Sequence, residues 1–143
     1  MKNASANKSF LISGTRAAAF VLAASAGLTA CGSSEQYQAL QAEFNRTIPT
    51  CSSSTECDSK WRAARQWVVA NADFQLRSDT QDRIDTLNSD ATRSGTAIQV
   101  DRVALGNGNY QIVVDVECFA AYGCPNDMEK QIEFNQVVSA AGN

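Results

Sequence analysis

The chain of 143 residues contains no histidine. Nucleophilic catalysis of the Ser-His or Cys-His kind therefore lacks its base. Acid is missing from the first 34 residues, and lysine is scarce after residue 31, where only Lys60 and Lys130 remain. Lys60 directly follows Ser59, without the S-x-x-K spacing of a Ser-Lys pair, and the helical pattern puts both on a wet face. No apolar run reaches the ~20 residues needed to cross a bilayer as a helix. No C-x-x-C occurs, so a thioredoxin-like redox role lacks its motif. Repeats and low-complexity tracts are absent as well.

The segment MKNASANKSFLISGTR carries Lys2, Lys8 and Arg16, and AAAFVLAASAGL after it carries no charge. A positive region, an apolar region and then small residues form the layout of a secretory signal. The small residues lead to a cysteine: Leu28-Thr29-Ala30-Cys31. Residues 1–35 resemble the signal and lipobox of bacterial lipoproteins. The resemblance implies cleavage before Cys31, a diacylglycerol on its sulfur and acylation of the new amino group. Two or three acyl chains anchor stably where one is marginal. Gly32 rather than Asp follows the cysteine, which in a Gram-negative host implies the outer membrane, facing the periplasm. Residues 1–30 are thus expected to be a signal peptide, 31–34 a short tether, and 31–143 one disulfide-stabilised domain.

Cleavage removes three bases and shifts the net charge from −3 to −6. An acidic surface argues against a nucleic-acid partner, which wants basic patches, and suits a basic protein partner or plain solubility. Four cysteines then remain, Cys51, Cys57, Cys118 and Cys124. In an oxidising compartment they are expected to form two disulfides, with three possible connectivities. Both close pairs have C-x5-C spacing, unlike structural zinc sites. Local pairing, Cys51–Cys57 and Cys118–Cys124, is favoured. Each short loop would stabilise by about 2–3 kcal/mol, and crossed pairing by about 4 or more, so energy alone does not choose.

Tyr37, Leu40 and Phe44 share one helical face in SEQYQALQAEFNR, with Ser34 as a possible cap and Pro49 closing the region. TCSSSTEC reads as polar loop. DSKWRAARQWVVANADF is the strongest helix, capped by Asp58 or Ser59. Its buried stripe is Trp61, Ala64, Val68 and Ala72, widened by Trp67, while Lys60, Arg62 and Arg65 point elsewhere. The period then changes from 3.6 to 2. FQLRSD and DRIDTLN alternate, and TAIQVDRVAL and NYQIVVDVECF flank GNGN as a hairpin. In the second arm Tyr110, Ile112, Val114, Val116 and Cys118 share one face, and Gln111, Asp115 and Glu117 the other, which favours an antiparallel sheet. AAYGCPND is a turn. A last helix carries Phe134, Val137, Val138 and Ala141 on one face, and Gly142 ends it. The expected fold is α+β in the order α-α-β-β-β-β-α, a sheet of three or four antiparallel strands covered by helices.

Few groupings could carry chemistry. Asp115 and Glu117 lie two apart on one strand face, as paired carboxylates for cleaving sugars would, although alternation explains them as the wet side of a half-buried strand. Asp79, Asp82 and Asp85 lack EF-hand spacing. Trp61 and Trp67 read as core, and Asn45-Arg46-Thr47 is a chance sequon in a bacterial lipoprotein. Tyr122, in a turn that a disulfide at Cys124 would stiffen, is the better contact candidate. No cofactor and no metal site is expected.

The mature chain also resembles uncharacterised small bacterial lipoproteins. The resemblance rests on K-W-x-A-A-x-x-W-V-x-x-N at Lys60 to Asn71, G-x-Y-x-I-V-V at Gly108 to Val114, and a Gly-Cys-Pro turn at Gly123 to Pro125. It supplies no activity. The expectation is a non-catalytic, lipid-anchored envelope binding module, whose partner is another envelope protein or an incoming one. An inhibitor of a basic lysozyme is one version, although the known inhibitor lipoproteins are β-barrels and three helices are expected here. The alternative is an envelope hydrolase using Asp115 and Glu117.

Overall fold

A computed structural model describes residues 32–87, 93–122 and 126–142. Helix α1 spans Gly32–Thr47, with Glu35 in its first turn and Arg46 in its last. These charges complement the helix dipole. The short strand β1, Thr50–Cys51, follows, and then helix α2, Ser54–Asn71. Strands β2 (Leu76–Asp79), β3 (Arg83–Thr86), β4 (Gly95–Gly106) and β5 (Asn109–Phe119) precede helix α3, Asp127–Ala140.

The strands form one antiparallel sheet in the order β1-β5-β4-β3-β2. Its centre is the β4–β5 hairpin, and the turn chemistry of GNGN explains it. Asn107 and Gly108 take φ of 54° and 78°, the positive values that a tight hairpin turn needs and that Asn and Gly tolerate best. The α+β class and the antiparallel sheet are as expected. The sheet has five strands rather than three or four, because Thr50 and Cys51 pair with Gln111 and Tyr110 of β5.

Helices cover one face only. Ile98 and Val100 of β4, Ile112, Val114 and Val116 of β5, and Ile84 of β3 pack against Ala64, Trp67 and Val68 of α2 and Phe134 and Val138 of α3. Trp67 and Phe134 meet edge to face at 5.3 Å, a favoured geometry for aromatic rings. Trp61 is only partly buried, and its indole N–H donates to the Thr80 carbonyl at 3.0 Å. Both tryptophans thus serve packing.

Helix α2 starts earlier than the sequence suggests. Ser53, not Asp58 or Ser59, is the N-cap, and its hydroxyl accepts from the Glu56 N–H at 3.2 Å. Glu56 reaches back to the Ser52 N–H at 2.9 Å. Ser53 and Glu56 thus make a variant of the reciprocal capping box, inside the stretch read as polar loop. The added turn carries Cys57 under the domain, bonded to Cys51 of β1. Lys60 is also corrected. It is buried at 7 % exposure rather than wet, held by Glu56 and the Thr50 carbonyl.

Helix α3 is rotated from the expected face. Val137 is exposed, whereas Asn135 is fully buried beside Phe134 and Val138. The Asn135 amide donates to the Phe44 carbonyl and the Thr47 hydroxyl, both at 3.2 Å. Those groups end α1, whose last carbonyls lack helical partners. The buried face of α3 therefore combines Ile132, Phe134 and Val138 with Asn135. Helix α1 begins at Gly32, inside the stretch expected as a tether. Side chains from Ser34 to Ala39 are all exposed, so the first turns of α1 project beyond the packed body.

Among the described residues one complete disulfide is seen, Cys51–Cys57, rather than two. Cys118 is disulfide-bonded too, and Cys124 lies outside the described residues. Cys31 and the signal segment lie outside them as well.

Candidate functional site

Strand alternation sends every second side chain away from the helices. On that second face β5 presents Val113, Asp115 and Glu117, β4 presents Gln99 and Asp101, and β3 presents Arg83 and Asp85. The register sets Asp115 against Gln99 and Val113 against Asp101. A shallow depression of about 210 Å³ lies there, lined chiefly by Arg77, Asp85, Gln99, Asp115 and Glu117. Alternation along β5 pairs the last two of these in the sequence, and Asp85 stands there in the acidic trio with Asp79 and Asp82. Asp85, Gln99 and Arg77 were legible in the same alternation, but their convergence needs the register of four strands.

Charge on this face is partly balanced. Arg77 Nε donates to Asp85 Oδ1 at 2.8 Å. The Asp85 side chain is only 7 % exposed, whereas that of Arg77 is half exposed, so the carboxylate is buried beneath a guanidinium that faces water. Arg83 grips Asp101 with two nitrogens at 2.8 and 3.2 Å, and Gln99 adds an amide hydrogen at 2.7 Å. The Arg83 guanidinium, helped by Gln99, holds the Asp101 carboxyl below its ordinary range. Asp115 and Glu117 are exposed, and among the described residues neither joins an ion pair. The depression therefore carries two uncompensated negative charges.

The depression offers carboxylates, an amide and a guanidinium. Neither lysine of the folded chain reaches it as a base. Lys60 is held by Glu56 and Thr50 beneath α2, and Lys130 donates to the Thr96 hydroxyl at 3.4 Å on the helix-covered face. Among the described residues no group of three His, Cys, Asp or Glu could hold a metal ion. Asp79, a member of the acidic trio, pairs with Arg65, while Asp85 pairs with Arg77. The depression is open, with Asp115 and Glu117 exposed in its wall.

Tyr122 is fully exposed in the turn after β5. Asn45 of the sequon is exposed, but Thr47 donates its hydroxyl to the Glu43 and Phe44 carbonyls. No helix of the described residues is long and apolar enough to cross a membrane. No family model, curated relative or solved structure matches this chain.

Proposed function

We propose that the protein is a lipid-anchored bacterial envelope protein, a non-catalytic interaction module held to the membrane through Cys31. The observation that carries the interaction reading is the uncovered sheet face, whose depression leaves Asp115 and Glu117 unpaired beside the neutralised Arg77–Asp85 pair. Such a face offers hydrogen bonds and negative charge to a protein surface.

Two further observations support the envelope location. The buried Cys51–Cys57 bond and the oxidised Cys118 suit an oxidising compartment, and the second bond of this reading joins Cys118 to Cys124. The exposed first turns of α1 would hold the body away from the bilayer as a rigid arm beginning one residue after the lipid-bearing cysteine. In a Gram-negative host the anchor is the outer membrane, facing the periplasm.

The second reading is an envelope hydrolase, and the shared depression of Asp115 and Glu117 is the observation in its favour. Replacing them with Asn and Gln separates the two. Abolished hydrolysis of envelope polymer, with fold and export intact, would favour the hydrolase; a face used for binding has no such activity to lose. The anchor is tested by the intact mass of protein extracted from membranes. A mass for residues 31–143 plus acyl chains is expected, and an unacylated chain of 143 residues would overturn it.

A further inference from the structure

We infer that the depression on the uncovered sheet face seats an arginine side chain from a basic partner protein. The inference deepens the interaction reading and rests on it.

The register builds the site. Asp85 of β3, Gln99 of β4 and Asp115 of β5 stand in one row across the sheet. The next row sets Glu117 opposite Ala97. Ala97 carries only a methyl group and is 4 % exposed. It is the floor of the depression, and the longer side chains of Arg77, Asp85, Gln99, Asp115 and Glu117 stand around it. Residues in one row lie about 5 Å apart across strands, and residues two apart on a strand about 7 Å. The Asp115 and Glu117 carboxylates thus flank one opening.

Charge and hydrogen-bonding capacity decide the occupant. Arg83 is paired with Asp101 and Arg77 with Asp85, so the surplus charge of the face is that of Asp115 and Glu117. The Gln99 amide nitrogen is turned to Asp101 at 2.7 Å, which leaves its carbonyl oxygen as an acceptor. The opening thus presents two carboxylates and a carbonyl, and it suits a cation rich in donors. A guanidinium has five donors in one plane and is more weakly hydrated than an ammonium. It can bond both carboxylates and the Gln99 carbonyl together. About 210 Å³ holds one long side chain, whereas sites for drug-sized molecules run from about 300 to 1,000 Å³. A second copy laid face to face here would oppose these acids with its own, and nucleic acid or an anionic bilayer would be repelled.

The full chain, purified in detergent as the cell makes it, is titrated with N-acetyl-arginine methylamide and followed by the NMR shifts of its backbone amides. The controls are the lysine analogue and the citrulline analogue, which keeps the shape of arginine and loses its charge. The expected result is a saturable change centred on Ala97, Gln99, Asp115 and Glu117, with the lysine analogue weaker and the citrulline analogue inert. D115N/E117Q should weaken binding of the arginine analogue roughly tenfold or more. Ala97→Gln should weaken it as well with every charge in place, because the longer side chain fills the floor. Unchanged shifts at Val68 and Phe134 show that each variant is folded. Binding untouched by Ala97→Gln, equal binding of either control, or no binding would each overturn the seated arginine. If the analogue fails while the anchored protein still retains a specific envelope protein that D115K/E117K releases, the seat is refuted and the interaction reading survives.

Discussion

The ammonium of Lys60 lies 2.6 Å from the carbonyl oxygen of Thr50, ten residues upstream. This bond fastens the second helix to the shortest strand. The same ammonium bonds Glu56 Oε1 at 2.7 Å, and Gly142, after the last helix, lies so close that a methyl there would collide with the Lys60 side chain. One buried lysine therefore joins β1, α2 and the end of the chain. Replacing it with methionine keeps the stem and removes the donor. Lys60→Met is expected to lower unfolding stability by about 1–3 kcal/mol, because the Thr50 carbonyl and the Glu56 carboxylate both lose a charged partner. Urea unfolding followed by tryptophan fluorescence reads this directly.

Acid should loosen the same corner. The Lys60 ammonium first, then the Ser52 amide, hold the Glu56 carboxyl down to about 2 from an ordinary value of 4.5. A carboxyl lowered on folding stabilises the fold above its unfolded value, and that contribution is lost as pH falls from 4.5 to 2. Asp101, lowered by Arg83, acts with the same sign. Asp127 acts oppositely, since burial raises it and its ionised form costs stability as pH rises. Thermal unfolding from pH 7 to 2 should show a fall below about pH 4.5. Glu56→Gln should make that fall shallower.

The Cys51–Cys57 bond closes a loop of sequence separation 6 and joins β1 to the first turns of α2. Cys51→Ala with Cys57→Ala is expected to cost about 2–3 kcal/mol. The variant should also speed hydrogen exchange at Ile112, whose N–H is held by the Pro49 carbonyl just before β1.

Asn135 bridges two helices from a fully buried position. Asn135→Leu is similar in size but loses both bonds to the end of α1. A loss of about 1–3 kcal/mol is expected. Protection of α1 amides should fall before that of β4 and β5.

Sequence periodicity made the sheet legible and the helices less so. Alternation along β5 assigns Ile112, Val114 and Val116 to the core and Asp115 and Glu117 to water, and all five stand there. The pattern is clear because one face of the sheet is packed and the other wet. Helix α3 misled because its buried face includes Asn135, which hydrophobicity cannot flag. Lys60 misled for the same reason, since a charge that finds two partners can be buried. The cap at Ser53 was visible as S-x-x-E, but the whole of TCSSSTEC, cap included, read as polar loop. The two carboxylates of the candidate site were legible from their shared face. Arg77 and Asp85 come from strands whose pairing alternation alone does not specify.

The measurement that tests the central claim most directly is capture of a partner. The anchored protein, tagged at its C-terminus, is incubated with native envelope extract at moderate salt and recovered. One specific protein should co-elute, and D115K/E117K should lose it without unfolding. A clean blank from folded, disulfide-bonded protein would contradict the account.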